Sequence, residues 1–72
     1  MKLREAKPPA LVTSEAREFA ALRRQHGIGL RDAAIKLEIR ALEVSGLERG
    51  RLVPKDPGEW RSMMAVLAKH GG

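Results

Sequence analysis

The chain has 72 residues, no cysteine and a net charge of +5, from 14 Lys and Arg against 9 Asp and Glu. This length indicates one small domain, and the lack of cysteine excludes disulfides and thiolate metal sites as its stabilisers. The positive charge favours a polyanionic partner, although many basic small domains are merely soluble, and no apolar run has the length of a membrane span.

The first twelve residues predict an extended or disordered arm. Pro8 and Pro9 lie among scattered charges there, and the start MKLREAKPPA has no apolar core of the secretory-signal type. A basic arm of this kind can follow a DNA groove, and a frayed terminus is the alternative. We therefore expect an arm over residues 1–12 and a folded domain over residues 13–70.

A first helix is predicted to begin at Thr13 or Ser14 and to end before Gly27. Either hydroxyl can cap the free backbone amides of the first turn, and the glycine suits a helix end. Phe19 and Leu22 recur at helical spacing, so we expect them to face the core.

The last turn of this helix is basic. Arg23 and Arg24 are candidates for phosphate contacts, or else charges that lie in solvent. His26 and His70 have no cluster of carboxylates beside them, and a zinc site needs several ligands together. We therefore expect no metal site.

Residues 27–51, GIGLRDAAIKLEIRALEVSGLERGR, predict two short helices joined by a tight turn. The first extends over about 29–38 and the second over about 40–49, where Gly50 ends it. The inward-facing residues at helical spacing are Ala33, Ala34 and Leu37, then Leu42 or Val44, and Leu47.

Residues 50–58, GRLVPKDPG, predict a loop, because Pro54, Pro57 and Gly58 forbid regular structure across it. A last helix starts near Pro57, with Asp56 as its natural cap. Its apolar stripe is either all core or in part a dimer contact, and it consists of Trp60, Met63, Met64 and Leu67.

These elements resemble the lambda-repressor/Cro-like helix-turn-helix regulators, the xenobiotic-response-element type, most closely at the ending SGLERGR. The resemblance covers roughly Ser14 to Leu67. It implies an all-α fold, a compact domain of four or five helices that contains a helix-turn-helix. The matched residues are Leu22, Gly27, Ile28, Ala34, Lys36, Leu37, Ile39, Val44, Ser45, Leu47, Glu48, Arg49 and Gly50.

The resemblance also implies which residues meet DNA. The second helix of the pair would enter the major groove, where Arg40 is the strong candidate for reading a base or holding a phosphate. Glu43 would accept from a cytosine amine or cap its own helix. The implied DNA-binding set is Arg31, Arg40, Ala41, Leu42, Glu43, Gly46, Arg49 and Arg51.

Three positions depart from the family pattern. Gly29 and Leu30 stand where the family commonly has Ser and Gln, so Arg31 would take over the phosphate contact. Glu38 stands where the family prefers glycine, because the backbone there is often left-handed. A turn with Glu38 is therefore either strained, at a cost of order 1 kcal/mol, or differently shaped.

The function implied is a sequence-specific transcriptional regulator, a small phage-, prophage- or antitoxin-like repressor that binds operator DNA as a homodimer. We expect a cytoplasmic protein without cofactor, and no enzyme, because no nucleophile, base and orienting group stand in a recognisable order. The alternative is an adaptor that binds a protein partner through the apolar strip of Ala41, Leu42 and Gly46.

Overall fold

The computed structural model describes residues 2–6 and 12–70, and the remainder of the predicted arm lies outside these ranges. The elements are β1 (Leu3–Glu5), α1 (Ser14–Gln25), α2 (Leu30–Leu37), α3 (Ala41–Glu48), β2 (Leu52–Pro54) and α4 (Glu59–His70). The chain is mostly helical with four helices in the described ranges, as predicted. None of these helices is both long and apolar enough to cross a membrane.

Helix α1 begins and ends where the sequence predicts. The Thr13 hydroxyl accepts a hydrogen bond from the Ala16 amide at 3.2 Å, which satisfies one free donor of the first turn. Gly27 follows the helix in the left-handed conformation, with φ of 64°. There the Ile28 amide donates back to the Arg23 carbonyl at 3.0 Å, and the chain turns toward α2.

The turn from α2 to α3 is left-handed at Glu38, with φ of 59° and ψ of 41°. Of the two outcomes considered for this residue, the structure has the strained one, at a cost of order 1 kcal/mol. The Ile39 amide donates to the Ala34 carbonyl at 2.9 Å. Arg40 has an extended backbone and is the N-cap residue of α3. Residues 38–40 therefore join the two helices.

The core lies where all four helices meet. Phe19 and Trp60 pack edge to face, with ring centroids 5.8 Å apart. The predicted burial of Leu37, Val44 and Leu47 is confirmed. The buried apolar residues are Ala16, Phe19, Ile28, Ala33, Ala34, Leu37, Val44, Leu47, Trp60, Met63 and Leu67.

The stripe of α4 is mainly core. Met63 and Leu67 are fully buried and Trp60 is only 8% exposed, so these three residues belong to the core, the first of the two alternatives predicted. Trp60 is covered because Phe19 of α1 packs against its ring. Met64 is half-buried and remains available to a partner.

The two strands form a small antiparallel sheet in which Leu3, Arg4 and Glu5 lie opposite Pro54, Val53 and Leu52. The fold is therefore not purely helical, and the prediction of an irregular loop over residues 50–58 is wrong for β2. Backbone hydrogen bonds alternate along an antiparallel pair. Pro54 lies at a position without one, so its missing amide donor costs the sheet nothing.

Candidate nucleic-acid interface

Helix α3 has one buried and one exposed side. Val44 and Leu47 are fully buried against the other helices, whereas Leu42 is 84% exposed. Ser45 is half-buried, and Arg49, the residue that ends the helix, is exposed. Val44 and Leu47 thus anchor this short helix from one side, while Leu42 stands exposed on another.

The residues predicted to meet DNA fall into two groups. An exposed group surrounds α3 and consists of Arg31, Arg40, Leu42, Arg49 and Arg51. The others are less accessible. Ala41 is half-buried and packs against the core. Glu43 is half-buried, and its carboxylate accepts the Arg40 amide at 2.9 Å, so it caps its own helix.

Gly46 does not project toward a partner, which corrects its predicted orientation. It is buried because the Leu52 side chain of β2 lies over it. A Cβ atom at Gly46 would lie 2.8 Å from Leu52 Cδ1, closer than carbon atoms pack. The sequence could not reveal this contact, because β2 was interpreted as loop.

A groove of about 670 Å³ lies between the exposed side of α3 and the end of the two-stranded sheet. Leu42 and Leu52 make part of it apolar, and two arginines and one glutamate make the rest of it polar. Its lining consists of Glu5, Ala6, Leu42, Ser45, Gly46, Arg49, Arg51 and Leu52.

An ion pair that the sequence analysis missed fastens the end of α3 to α1. The guanidinium of Arg23 binds both carboxylate oxygens of Glu48 through Nε and Nη2, the latter at 3.0 Å. Its Nη1 donates to the Ile28 carbonyl at 2.8 Å. The side chains of Arg23 and Glu48 are only 13% and 10% exposed. Arg23 is therefore not the phosphate contact or solvent charge that the sequence suggested, whereas Arg24 is exposed.

This ion pair stabilises the charged form of the Arg23 guanidinium. The hydrogen bond to Glu48 raises the pKa of the guanidinium above its ordinary value and outweighs burial, which lowers it. A hint was present in the sequence, since Glu48 directly follows Leu47 and therefore flanks the buried side of α3.

No group of three or more His, Cys, Asp and Glu side chains that could hold a metal ion occurs in residues 2–6 and 12–70.

Comparisons with protein-family models, with curated proteins and with solved structures each found no match for this chain. A function for the α3 surface must accordingly be argued from its own residues and geometry.

Proposed function

We propose that this chain is a helix-turn-helix protein that binds a specific sequence of duplex DNA and regulates transcription. In this proposal α2, the turn at Glu38 and α3 form the helix-turn-helix, and α3 enters the major groove. Binding over a promoter would exclude polymerase, so the regulator would be a repressor.

One observation carries the proposal. Leu42 is 84% exposed on a helix that Val44 and Leu47, both fully buried, anchor from the other side. A large apolar side chain in this position gains nothing from the fold of the monomer. An α-helix with its side chains is about 10–12 Å across, which matches a major groove roughly 12 Å wide.

The roles follow from position and chemistry. Arg40, exposed at the start of α3, would bind a base edge or a flanking phosphate, and Leu42 would contact thymine methyl groups. Arg31 on α2, with Arg49 and Arg51 at the far end of α3, would bind phosphates on either side. The ion pair of Arg23 would keep α3 at a fixed angle during binding.

In vitro selection from a random duplex library tests the proposal, because it does not require the operator in advance. We expect enrichment of one sequence. Arg40→Ala should then weaken binding to it by about 1–3 kcal/mol if Arg40 reads a base. The control is Arg17→Ala, which removes an exposed arginine of α1 and should leave affinity within about twofold, because α1 takes no part in the proposed interface. A parent that enriches no sequence would contradict the proposal.

Salt dependence separates phosphate contacts from base contacts. Arg51→Ala should weaken specific and random duplexes alike and reduce the slope of log K against log salt by about 1. Arg40→Ala should instead act mainly on the specific sequence. Equal behaviour of the two variants would assign both residues to the phosphates.

We further propose that the chain binds DNA as a homodimer. A two-fold dimer would place two copies of α3 about 34 Å apart, one in each of two successive major grooves. Met64 is half-buried on α4 and could belong to the contact between copies. Sedimentation at micromolar concentration tests this, and a monomer that binds a single non-palindromic site would exclude the dimer.

A second candidate function is that of a protein-binding adaptor, favoured by exposed apolar residues on the same pair of helices. Ile35 is 73% exposed on α2, and Leu42 is 84% exposed on α3. Such residues also suit a protein groove. Leu42→Gln discriminates between the two functions. In a DNA-binding protein the variant should change the preferred base sequence. In an adaptor it should abolish binding to the protein partner and have no effect on DNA binding.

A further inference from the structure

The two strands and their flanking residues form a basic ribbon, defined here as residues 2–6 and 51–55. The Lys55 amide donates to the Lys2 carbonyl at 3.0 Å, and the Ala6 amide donates to the Arg51 carbonyl at 2.9 Å. These bonds extend the register of the strands by one residue at each end. Lys2 therefore lies opposite Lys55, and Ala6 lies opposite Arg51.

The ribbon has an inner and an outer face, because side chains alternate along each strand. Leu3 and Leu52 on the inner face pack against the core, and Pro54 beside them is buried. Glu5 completes the inner face, at the α3 groove. The outer face consists of Lys2, Arg4, Ala6, Arg51, Val53 and Lys55.

The outer face is strongly cationic. Lys2, Arg4, Arg51 and Lys55 are all exposed, and no carboxylate of the ribbon lies on this face. Among the described residues the one ion pair joins Arg23 to Glu48, so none of these cations is neutralised.

Two of the cations also oppose each other directly. Lys2 and Lys55 are a cross-strand pair, and like charges placed opposite each other destabilise a sheet. A polyanion that lies along this surface would reduce the repulsion between the two lysines.

We propose that the outer face of the basic ribbon binds the phosphate backbone of the duplex that α3 enters. This proposal rests on the DNA-binding function proposed above. Arg51 belongs both to the ribbon and to the lining of the α3 groove, so the two surfaces are continuous. Lys2 and Ala6 are four residue steps apart along the strand, a span of about 13 Å that covers several phosphates.

The test compares two variants with equal loss of charge. The ribbon variant is Lys2→Gln, Arg4→Gln and Lys55→Gln combined. The control variant is Arg17→Gln, Arg61→Gln and Lys69→Gln combined, which removes exposed cations of α1 and α4. Each variant lowers the net charge from +5 by three, to +2. Both are titrated by fluorescence anisotropy with a random-sequence duplex over a range of salt concentrations.

We expect the ribbon variant to reduce the slope of log K against log salt by up to about 2.7, since each phosphate contact contributes about 0.9. The control variant should change the slope by less than about 1, because its cations do not touch DNA. Equal slopes for the two variants would overturn the proposal.

Lys55→Glu provides a second test with opposite effects on folding and binding. The new carboxylate would face Lys2, so the melting temperature should rise by a few degrees while affinity for duplex falls. A lower melting temperature would contradict the cross-strand pairing on which the proposal depends. An unchanged affinity would contradict the phosphate contact.

Failure of this proposal can be distinguished from failure of the proposed function. If the parent enriches a sequence and Leu42→Gln changes it, but the ribbon and control variants behave alike, only the ribbon proposal fails. If the parent binds no duplex, both fail. Ribbon-dependent binding to phosphatidylserine vesicles, without binding to duplex, would also overturn the proposal and would assign the face to a lipid surface.

Discussion

Helices α3 and α4 contribute to the same core but differ on their outer sides. In α4 the large residues Trp60, Met63 and Leu67 are buried, and its most exposed large apolar residue, Val66, is 38% exposed. In α3, Leu42 is 84% exposed. Packing of the monomer therefore accounts for the apolar pattern of α4 but not for that of α3. This exposed apolar residue is the observation on which the proposed interface of α3 rests.

The largest effect should come from the buried side of α3. Leu47→Ala should lower the free energy of unfolding by about 2–5 kcal/mol, because it leaves a cavity among fully buried neighbours. Loss of this size is severe for a domain of this length. Thermal and urea denaturation followed by circular dichroism measure it.

Leu67→Ala in α4 is the matched variant, since Leu67 is equally buried. Similar losses in the two helices would support the view that they differ only on their outer sides. A melting temperature for Leu47→Ala within a degree or two of the parent would contradict the core position of α3.

The next effect should come from the ion pair that joins α3 to α1 through Glu48 and Arg23. Arg23→Met should lower the free energy of unfolding by roughly 1–3 kcal/mol, because it leaves the mostly buried Glu48 carboxylate without its donors. Denaturation in urea, with its linear dependence of free energy on denaturant, measures the loss.

Arg24→Met is the control for this change. It removes the neighbouring, exposed arginine and should stay within about 0.5 kcal/mol of the parent. If the two variants are equally stable, the ion pair contributes nothing and cannot be what fixes the end of α3.

A smaller effect should come from the turn that leads into α3. Glu38→Gly should raise the free energy of unfolding by about 0.5–1 kcal/mol, because glycine adopts the left-handed conformation without steric cost. Glu38→Ala removes the same carboxylate but keeps the strain. The difference in melting temperature between the two variants therefore measures the backbone strain at residue 38. No difference would mean that Glu38 is unstrained.

The smallest effect on stability should come from the outer side of α3. Leu42→Ser should change the free energy of unfolding by less than about 0.5 kcal/mol, since the side chain is already 84% exposed. Denaturation tests this, and the same variant should lose the DNA specificity proposed for the parent. A loss of stability as large as that of Leu47→Ala would remove the contrast between α3 and α4.

The helices could be predicted because their signals are local. Thr13, Gly27 and Gly50 mark helix ends through their own backbone and capping chemistry, and the apolar spacing of α2 and α3 identifies the inward residues. The inward positions of Leu37 and Leu47 followed from that spacing, whereas the spacing left Leu42 and Val44 as alternatives, of which the structure buries Val44.

The features that the sequence did not predict depend on contacts between distant parts of the chain. Strands of three residues carry too little alternation to be recognised, and Pro54 argued against one of them. Burial of Gly46 depends on Leu52, and burial of Arg23 depends on Glu48. Such pairings have no local signature, so the outer face of α3 was predicted only in part.

The pairing of β1 with β2 also has a kinetic consequence. Helices α1, α2 and α3 all lie between the two strands in the chain, so closing the ribbon requires a long loop to be ordered first. We expect the ribbon to form late in folding and to open first in the native state, and hydrogen exchange would show its amides as less protected than those of α3. A polyanion that binds only the closed ribbon would then report the fraction of molecules that are closed, and its apparent affinity would fall in proportion to that fraction.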